Sequence, residues 1–244
     1  MVDGDVLGLL ITYTYVIVMV FVASKWELLK KYNMHRKFIH IMIGNIVIWW
    51  WVFQSNWVMS LLTAVPFIPV LFMLTREATR KDEPQSKLDA EVRRSFLAQA
   101  SINGHKLGLV YYAISWALLA FFAFDNLMLA SIGIVCMAYG DGMGGLIGKR
   151  YGKRKIHHGK TLEGTMAVFT FALAASIFVF FYYDLLFTSG IYGTHHLAVI
   201  WVLPVSLFVA AYVAVVELYT PGEYDNLVIP LSTVAILWVL GVGG

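Results

Sequence analysis

The chain has 244 residues, of which 59% are hydrophobic and only 14% charged, with a mean hydropathy of +0.72 and a formal net charge of +3. Soluble domains carry about 25% charged residues, so this composition excludes an ordinary soluble domain and indicates an integral membrane protein. The single cysteine, Cys136, excludes an intrachain disulfide and, inside an apolar run, reads as a small buried hydrophobe.

Crossing the hydrocarbon core takes roughly 20 apolar residues in a helix. Runs at approximately 6–24, 38–53, 57–74, 107–124, 127–147, 166–183, 197–216 and 227–243 come near this, each bounded by charge, Gly, Pro or Asn. The sequence therefore predicts an all-α, polytopic membrane protein of about eight transmembrane helices, with residues 1–244 as one membrane-embedded domain. The first run follows the acidic start "MVDGD" and is full length for a span, which predicts a retained helix rather than a cleaved signal. The second run is short, and the fifth carries Asp141.

All 18 Lys and Arg residues fall in the loops 25–37, 75–106 and 148–165. Those loops lie on one side of an eight-span arrangement, and the positive-inside rule makes that side cytoplasmic. The last loop, 217–226, falls on the same side. Within the longest loop, Leu88, Val92, Phe96 and Leu97 form an apolar stripe at helical spacing, with Ser86 placed to cap its start. Two readings are open: an amphipathic helix on the anionic leaflet, or a solvated helix packed on its neighbours.

In the fifth run, "AYGDGMGGLIGKRYGKRKIHHGKTLEGT", Asp141 precedes Lys149 by eight residues, about 12 Å deeper at ~1.5 Å per helical residue. A carboxylate at such depth is costly and faces a polar cavity or a partner. Gly140, Gly144 and Gly148 have the four-residue spacing of close helix packing, which explains the glycines but not Asp141. Six cations then follow within Lys149–Lys160, among them Arg150, Lys153 and Lys155, interspersed with glycines. Part of this is the positive flank of a span. The density exceeds what orientation needs and suits a polyphosphate. The segment is not a Walker A loop, since Met143 stands where the first glycine belongs and Arg150 replaces the Ser/Thr. A nucleic-acid site is a weaker reading, because the patch is short and lies between spans.

Thr161 is placed to cap the sixth helix, whose N-terminal dipole favours an anion. Glu163 is an oxygen donor suited to Mg²⁺. Earlier in the chain, "HRKFIHIMIGN" sets His40 four residues after Arg36, on one helical face. His40 then reads either as a site residue or as a packed, hydrogen-bonded histidine. "ELYTPGEYDNLVIP" brings Glu217, Glu223, Asp225 and Asn226 with no cation. Opposed to three basic loops, it completes either a metal–polyphosphate site or a plain electrostatic clamp. In the first case Asp141 and the acidic loop hold Mg²⁺ and the basic loop holds phosphates, an arrangement suited to phosphoryl transfer.

At these residues the chain resembles the CTP-dependent polyprenol kinase family, which includes dolichol kinases and phytol or farnesol kinases. The resemblance rests on "RKFIH", on "GDGMGGLIGKRYGKRK…GKTLEGT" and on "E…DNLVIP", spread between Arg36 and Pro230. It implies transfer of the CTP γ-phosphate to an isoprenoid alcohol in the bilayer. Asp141 matches the acidic position of the middle motif, and Lys149, Lys160, Thr161, Glu163 and Gly164 its nucleotide segment. Arg36, Lys37 and His40 match the early motif, Asp225 and Asn226 the late one. Asp141, with His40 second, is the expected acceptor of the hydroxyl proton. Trp49, Trp50 and Trp51 are expected to line a groove for the tail. The middle motif is also similar to that of phosphatidate cytidylyltransferases, which keeps a CDP-lipid synthase open, although His157–His158 stand where those enzymes tend to have Ser-Pro. A transporter with Asp141 on its pathway is the third reading.

Overall fold

The computed structural model describes residues 2–32, 34–80, 84, 86–95, 98, 107–193 and 197–242. Among them every regular element is helical, apart from one isolated antiparallel bridge between Lys155 and Thr161. Helix α1 is Asp3–Lys25, α2 Glu27–Lys31 and α3 His35–Ile43. A 3₁₀ stretch, Gly44–Val52, continues α3, and a π-helical stretch, Val58–Ala64, leads into α4, Phe67–Thr79. Then come α5 (Lys87–Arg94), α6 (Gly108–Phe122) and α7 (Leu127–Val135), and a π-helical turn, Cys136–Asp141, joins α7 to α8 (Gly142–Tyr151). Helices α9 (Leu162–Thr188), α10 (Val199–Tyr219) and α11 (Asp225–Val239) complete the described chain.

These segments coincide with the expected runs. Five are long and apolar enough to cross a membrane: Asp3–Lys25, Val58–Thr79, Phe124–Tyr151, Leu162–Thr188 and Val199–Tyr219. Helices α6 and α11 are apolar but shorter. The second run is wound differently and is not among the five. Nine α-helical residues, whose first turn carries Arg36 and Lys37, are followed by nine 3₁₀ residues, together about 30 Å at ~1.5 and ~2.0 Å per residue.

The segment Phe124–Tyr151 is the axis of the fold. Of its apolar window 89% is buried, against 22–44% for the other four long helices. All of α7 is buried, with the 3₁₀ stretch, α6, α9 and α11 packed around it. An axis enclosed by protein can carry a carboxylate that a lipid-facing helix cannot. The glycines of α8 let α9 approach. A Cβ on Gly148 would stand 3.1 Å from Thr161 Oγ1 and 3.3 Å from Gly164 Cα, and one on Gly144 would overlap Val168. The packing role read from their spacing is therefore met at Gly144 and Gly148, while a Cβ on Gly140 would find ordinary contact with Ala172 at 3.4 Å.

At the end of the bundle away from Asp141, Asp5 fastens α1 to the loop after the 3₁₀ stretch. Its Oδ1 accepts from the backbone N–H of Gln54 (2.9 Å) and Ser55 (3.0 Å), and its Oδ2 from Ser55 Oγ (2.7 Å). In the long loop, Ser86 caps α5 by accepting from Asp89 N at 3.0 Å. Arg93 ties that helix to Glu77 of α4 at 3.8 Å, while Leu88 stays exposed. Phe96 and Leu97 lie outside the described residues.

Candidate active site

The π-helical turn widens the backbone just before Asp141, a distortion that recurs at functional sites, and turns the carboxylate toward α3. Asp141 is 7% exposed. Lys37 Nζ lies 3.0 Å from its Oδ2 and also donates to its carbonyl at 3.2 Å. His40 Nε2 lies 3.4 Å from the same Oδ2 and 3.1 Å from the Met137 carbonyl. Both neighbours of Nε2 are acceptors, so Nε2 carries the proton. The imidazole is buried edge-on against Tyr112, ring centroids 5.0 Å apart. His40 thus orients Asp141 and presents no basic Nε2 to a substrate. Both contacts to the Asp141 carboxylate fall on Oδ2, and none of the described residues hydrogen-bonds Oδ1.

In front of Asp141 opens a cavity of about 490 Å³ lined by Arg36, Lys37, Asp141, Gly145, Lys149, His158, Gly159, Lys160, Glu217 and Asp225, among others. A second chamber of about 270 Å³ shares Gly145, Lys149, Gly159, Lys160 and Glu217, and extends under Gly148, Thr161 and Gly164. The early, middle and late motifs therefore surround one space. Gly108, at the start of α6, adds to this closure, because a Cβ there would meet Asn226 Nδ2 at 2.9 Å and the Arg36 guanidinium carbon at 3.1 Å.

The cations of the middle motif divide in two. Lys149 and Lys160 line the cavity, whereas Arg150, Lys153 and Lys155 are exposed and do not. Lys160 Nζ pairs with Glu217 Oε1 at 2.8 Å and donates to the carbonyls of Glu217 and Thr220 at the C-terminus of α10. A cation there complements the helix dipole. The loop before α9 is a closed turn. Ile156 N donates to Lys160 O at 2.9 Å, and Leu162 N to Arg154 O at 2.9 Å. His158 and Gly159 take positive φ of 45° and 77° at its tip. Thr161 caps α9 by accepting from Gly164 N at 3.2 Å, as its position suggested.

Glu163 stands apart from the other carboxylates. Its Oε2 accepts from the backbone N–H of Lys153 (3.0 Å) and Arg154 (3.3 Å), so it clasps the basic loop to the first turn of α9. Asp141, Glu217 and Asp225 do line one cavity. Asp225 is 7% exposed, and its Oδ1 accepts from Asn226 N at 2.8 Å. Among the described residues no three carboxylate, imidazole or thiolate groups form a ready metal cage. The donor set is oxygen only and two of its members hold lysines. That fits a hard cation which takes one or two carboxylates and completes its shell from substrate phosphates.

The three tryptophans do not line a groove. Trp50 is fully buried, Trp49 Nε1 donates to Thr12 Oγ1 at 2.8 Å, and Trp51 Nε1 to Tyr182 OH at 2.9 Å. The apolar groove lies beside them, a cavity of about 340 Å³ between the 3₁₀ stretch, α7 and α9, lined by Gly44, Asn45, Val47, Ile48, Val135, Tyr139, Phe171 and Phe178 among others. Asn45 and Tyr139 were not legible as site residues. Their only signal is an amide in an otherwise apolar run and a tyrosine two residues before Asp141.

No family model matches the chain, and no solved structure matches it. Curated proteins do. The chain is 29% identical to the phytol kinase of Synechocystis sp. over 238 residues, covering 95% of this chain and 89% of that one. It is 26% identical to the probable chloroplastic phytol kinase 1 of Glycine max over 84% of this chain and 66% of that one. With the chloroplastic phytol kinase 1 of Arabidopsis thaliana the figures are 26%, 83% and 64%. The expected resemblance to kinases of isoprenoid alcohols holds, and it is to phytol kinases that this chain is similar over nearly its whole length.

Proposed function

We propose that this protein is a membrane-embedded kinase that transfers the γ-phosphate of CTP to the hydroxyl of an isoprenoid alcohol. The observation that carries the reading is the Lys37–Asp141–His40 constellation, its aspartate and histidine buried, at the inner wall of a glycine-floored basic cavity. The similarity to phytol kinases supports the alcohol class. CTP rests on the resemblance of the middle motif.

In this reading the triphosphate lies along Gly145, Gly148 and Gly159, where the absence of side chains lets it approach the backbone, and Lys149 and Arg36 neutralise it. Asp141 Oδ1 takes the hydrogen bond from the acceptor hydroxyl and draws off its proton as the oxygen attacks the γ-phosphorus. The bond from that phosphorus to the β-bridging oxygen breaks, and CDP leaves. Lys37 carries a positive charge beside the developing charge on the transferring group. His40 keeps Asp141 in register. Asp141 and Asp225 would hold Mg²⁺, which supplies further charge neutralisation at the phosphates. The site opens on the side of the basic loops, the cytoplasmic side by the positive-inside rule.

Incubation of purified protein in nanodiscs with labelled CTP and prenyl alcohols tests this. Label from the γ-position should enter an isoprenoid monophosphate, and α-label should remain in CDP. Entry of α-label into lipid, with release of pyrophosphate, makes the protein a cytidylyltransferase instead. Labelling of neither lipid, with solute flux through proteoliposomes, makes it a transporter.

A further inference from the structure

The apolar groove and the site share no lining residue, but two segments of the chain run from one to the other. Gly44 follows His40 by four residues, and Tyr139 precedes Asp141 by two. The groove therefore begins about one helical turn deeper in the bilayer than the carboxylate. A lipid whose hydroxyl reaches Asp141 would have its chain pass that point.

The lining has a polar near end, and a Trp51–Tyr182 pair lies just beyond its far end, next to Ile48 and Phe178. At the near end Tyr139 OH donates to Asn45 Oδ1, and Asn45 Nδ2 donates to Tyr15 OH at 3.1 Å. At the far end Trp51 Nε1 and Tyr182 OH join at 2.9 Å, and Tyr182 also donates to the Ile48 carbonyl. Between them, Phe171, Ala174, Ala175 and Phe178 form one stripe of α9. The two alanines leave room between two phenyl rings, a profile suited to a methyl-branched chain. The 3₁₀ winding helps, because residues three apart eclipse. Gly44 and Val47 make one column of the opposite wall, Asn45 and Ile48 the next.

A second apolar cavity, between α1, α3, α4 and α6, is about 110 Å³. Ligand pockets run from about 300 to 1,000 Å³, so the groove at about 340 Å³ is of ligand size and the other is not.

We propose that this groove holds the isoprenoid chain of the acceptor, with Ala174 and Ala175 setting the chain it accepts and the Trp51–Tyr182 pair marking its end. The proposal rests on the kinase reading. Its test is chosen to separate the two. A prenyl alcohol carrying a diazirine at its tail is photolysed with the wild-type protein in nanodiscs, and labelled residues are located by mass spectrometry. Label should fall on 171–178 or 47–51 and be competed by unlabelled phytol but not by phospholipid. Independently, Ala174→Phe and Ala175→Phe should raise KM for phytol by about tenfold, the ratio that ~1.4 kcal/mol of lost contact gives. KM for CTP should stay unchanged, and a short prenyl alcohol should be affected less. Label confined to α1, α4 or α6, competition by phospholipid alone, or equal KM changes for short and long alcohols overturns the proposal. If wild-type protein labels in the groove but phosphorylates no alcohol, the kinase reading fails and the groove assignment stands.

Discussion

Lys37 and Asp141, 104 residues apart in sequence, meet at 3.0 Å with unequal exposure. The lysine side chain keeps 26% of its surface, the aspartate 9%. Removing either partner therefore has different consequences. In Asp141→Asn the ammonium retains access to water and the amide still receives His40, so the protein should insert and melt near the wild-type temperature. Its kcat should fall by about 10²–10³-fold, as when a preorganised charge-stabilising group is lost. Lys37→Met strands a buried carboxylate, a change that costs about 3–5 kcal/mol in enclosed pairs. It should lower both the melting temperature and the folded yield. Thermal unfolding of the two variants in one detergent, beside turnover with saturating CTP, reads the asymmetry. Equal melting temperatures would contradict it.

Glu163 separates a clasp from a metal ligand. Its carboxylate receives two backbone N–H groups, and a glutamine carbonyl oxygen can receive the same pair. Glu163→Gln should keep activity within about threefold, while Glu163→Ala, which leaves both N–H groups without their acceptor, should lose about tenfold. The Mg²⁺ concentration for half-maximal rate should be unmoved in both. A tenfold rise of that concentration in Glu163→Gln would make Glu163 a ligand.

His40 offers a similar contrast. Nε2 donates to Met137 O and faces Asp141, and a glutamine amide can supply a donor at that distance. Activity should survive in His40→Gln far better than in His40→Phe, whose ring fills space but donates nothing. If the two variants fall together, a proton-accepting imidazole is required.

The loops 25–37, 75–106, 148–165 and 217–226 should share one side of the membrane. Single cysteines at Lys87, Lys153 and Glu223 in a Cys136→Ala background should all react with an impermeant maleimide from that side in oriented vesicles. Reaction of one from the opposite side refutes the topology.

The bundle was legible because apolar runs and their charged borders are dictated by the bilayer, and the helical segments of the structure fall on them. The glycine register 140–144–148 and the caps at Ser86 and Thr161 were legible for the same kind of reason, since each is a local rule read over four residues. Long-range partnership was not. Nothing in the run 38–53 announces a 3₁₀ winding, because every helical winding satisfies the backbone inside a membrane. Nor does composition say which of three adjacent tryptophans faces lipid. Charge alone was visible at Lys153 and Glu163, not that Lys153 is exposed or that Glu163 accepts from the backbone of the basic loop. Their direction depends on a turn whose geometry is set by His158 and Gly159. Asn45 and Tyr139 matter only as a pair, and a pair 94 residues apart leaves no trace in a single sequence.

The 3₁₀ stretch is held at both ends, by His40 against Met137 and Asp141, and beyond Val52 by Gln54 and Ser55 on Asp5. Wound as an α-helix, its nine residues would be about 4–5 Å shorter, at ~0.5 Å less rise per residue. The distance between the two fastenings is thus matched to the number of residues strung between them, like a guy-rope cut to length. Deleting one residue would draw His40 off Asp141 by about 2 Å, enough to break a hydrogen bond, whereas adding one would let about four residues relax into the commoner helix over the same span. The depth at which the carboxylate is held is, in this sense, recorded as a count of residues whose side chains never touch it.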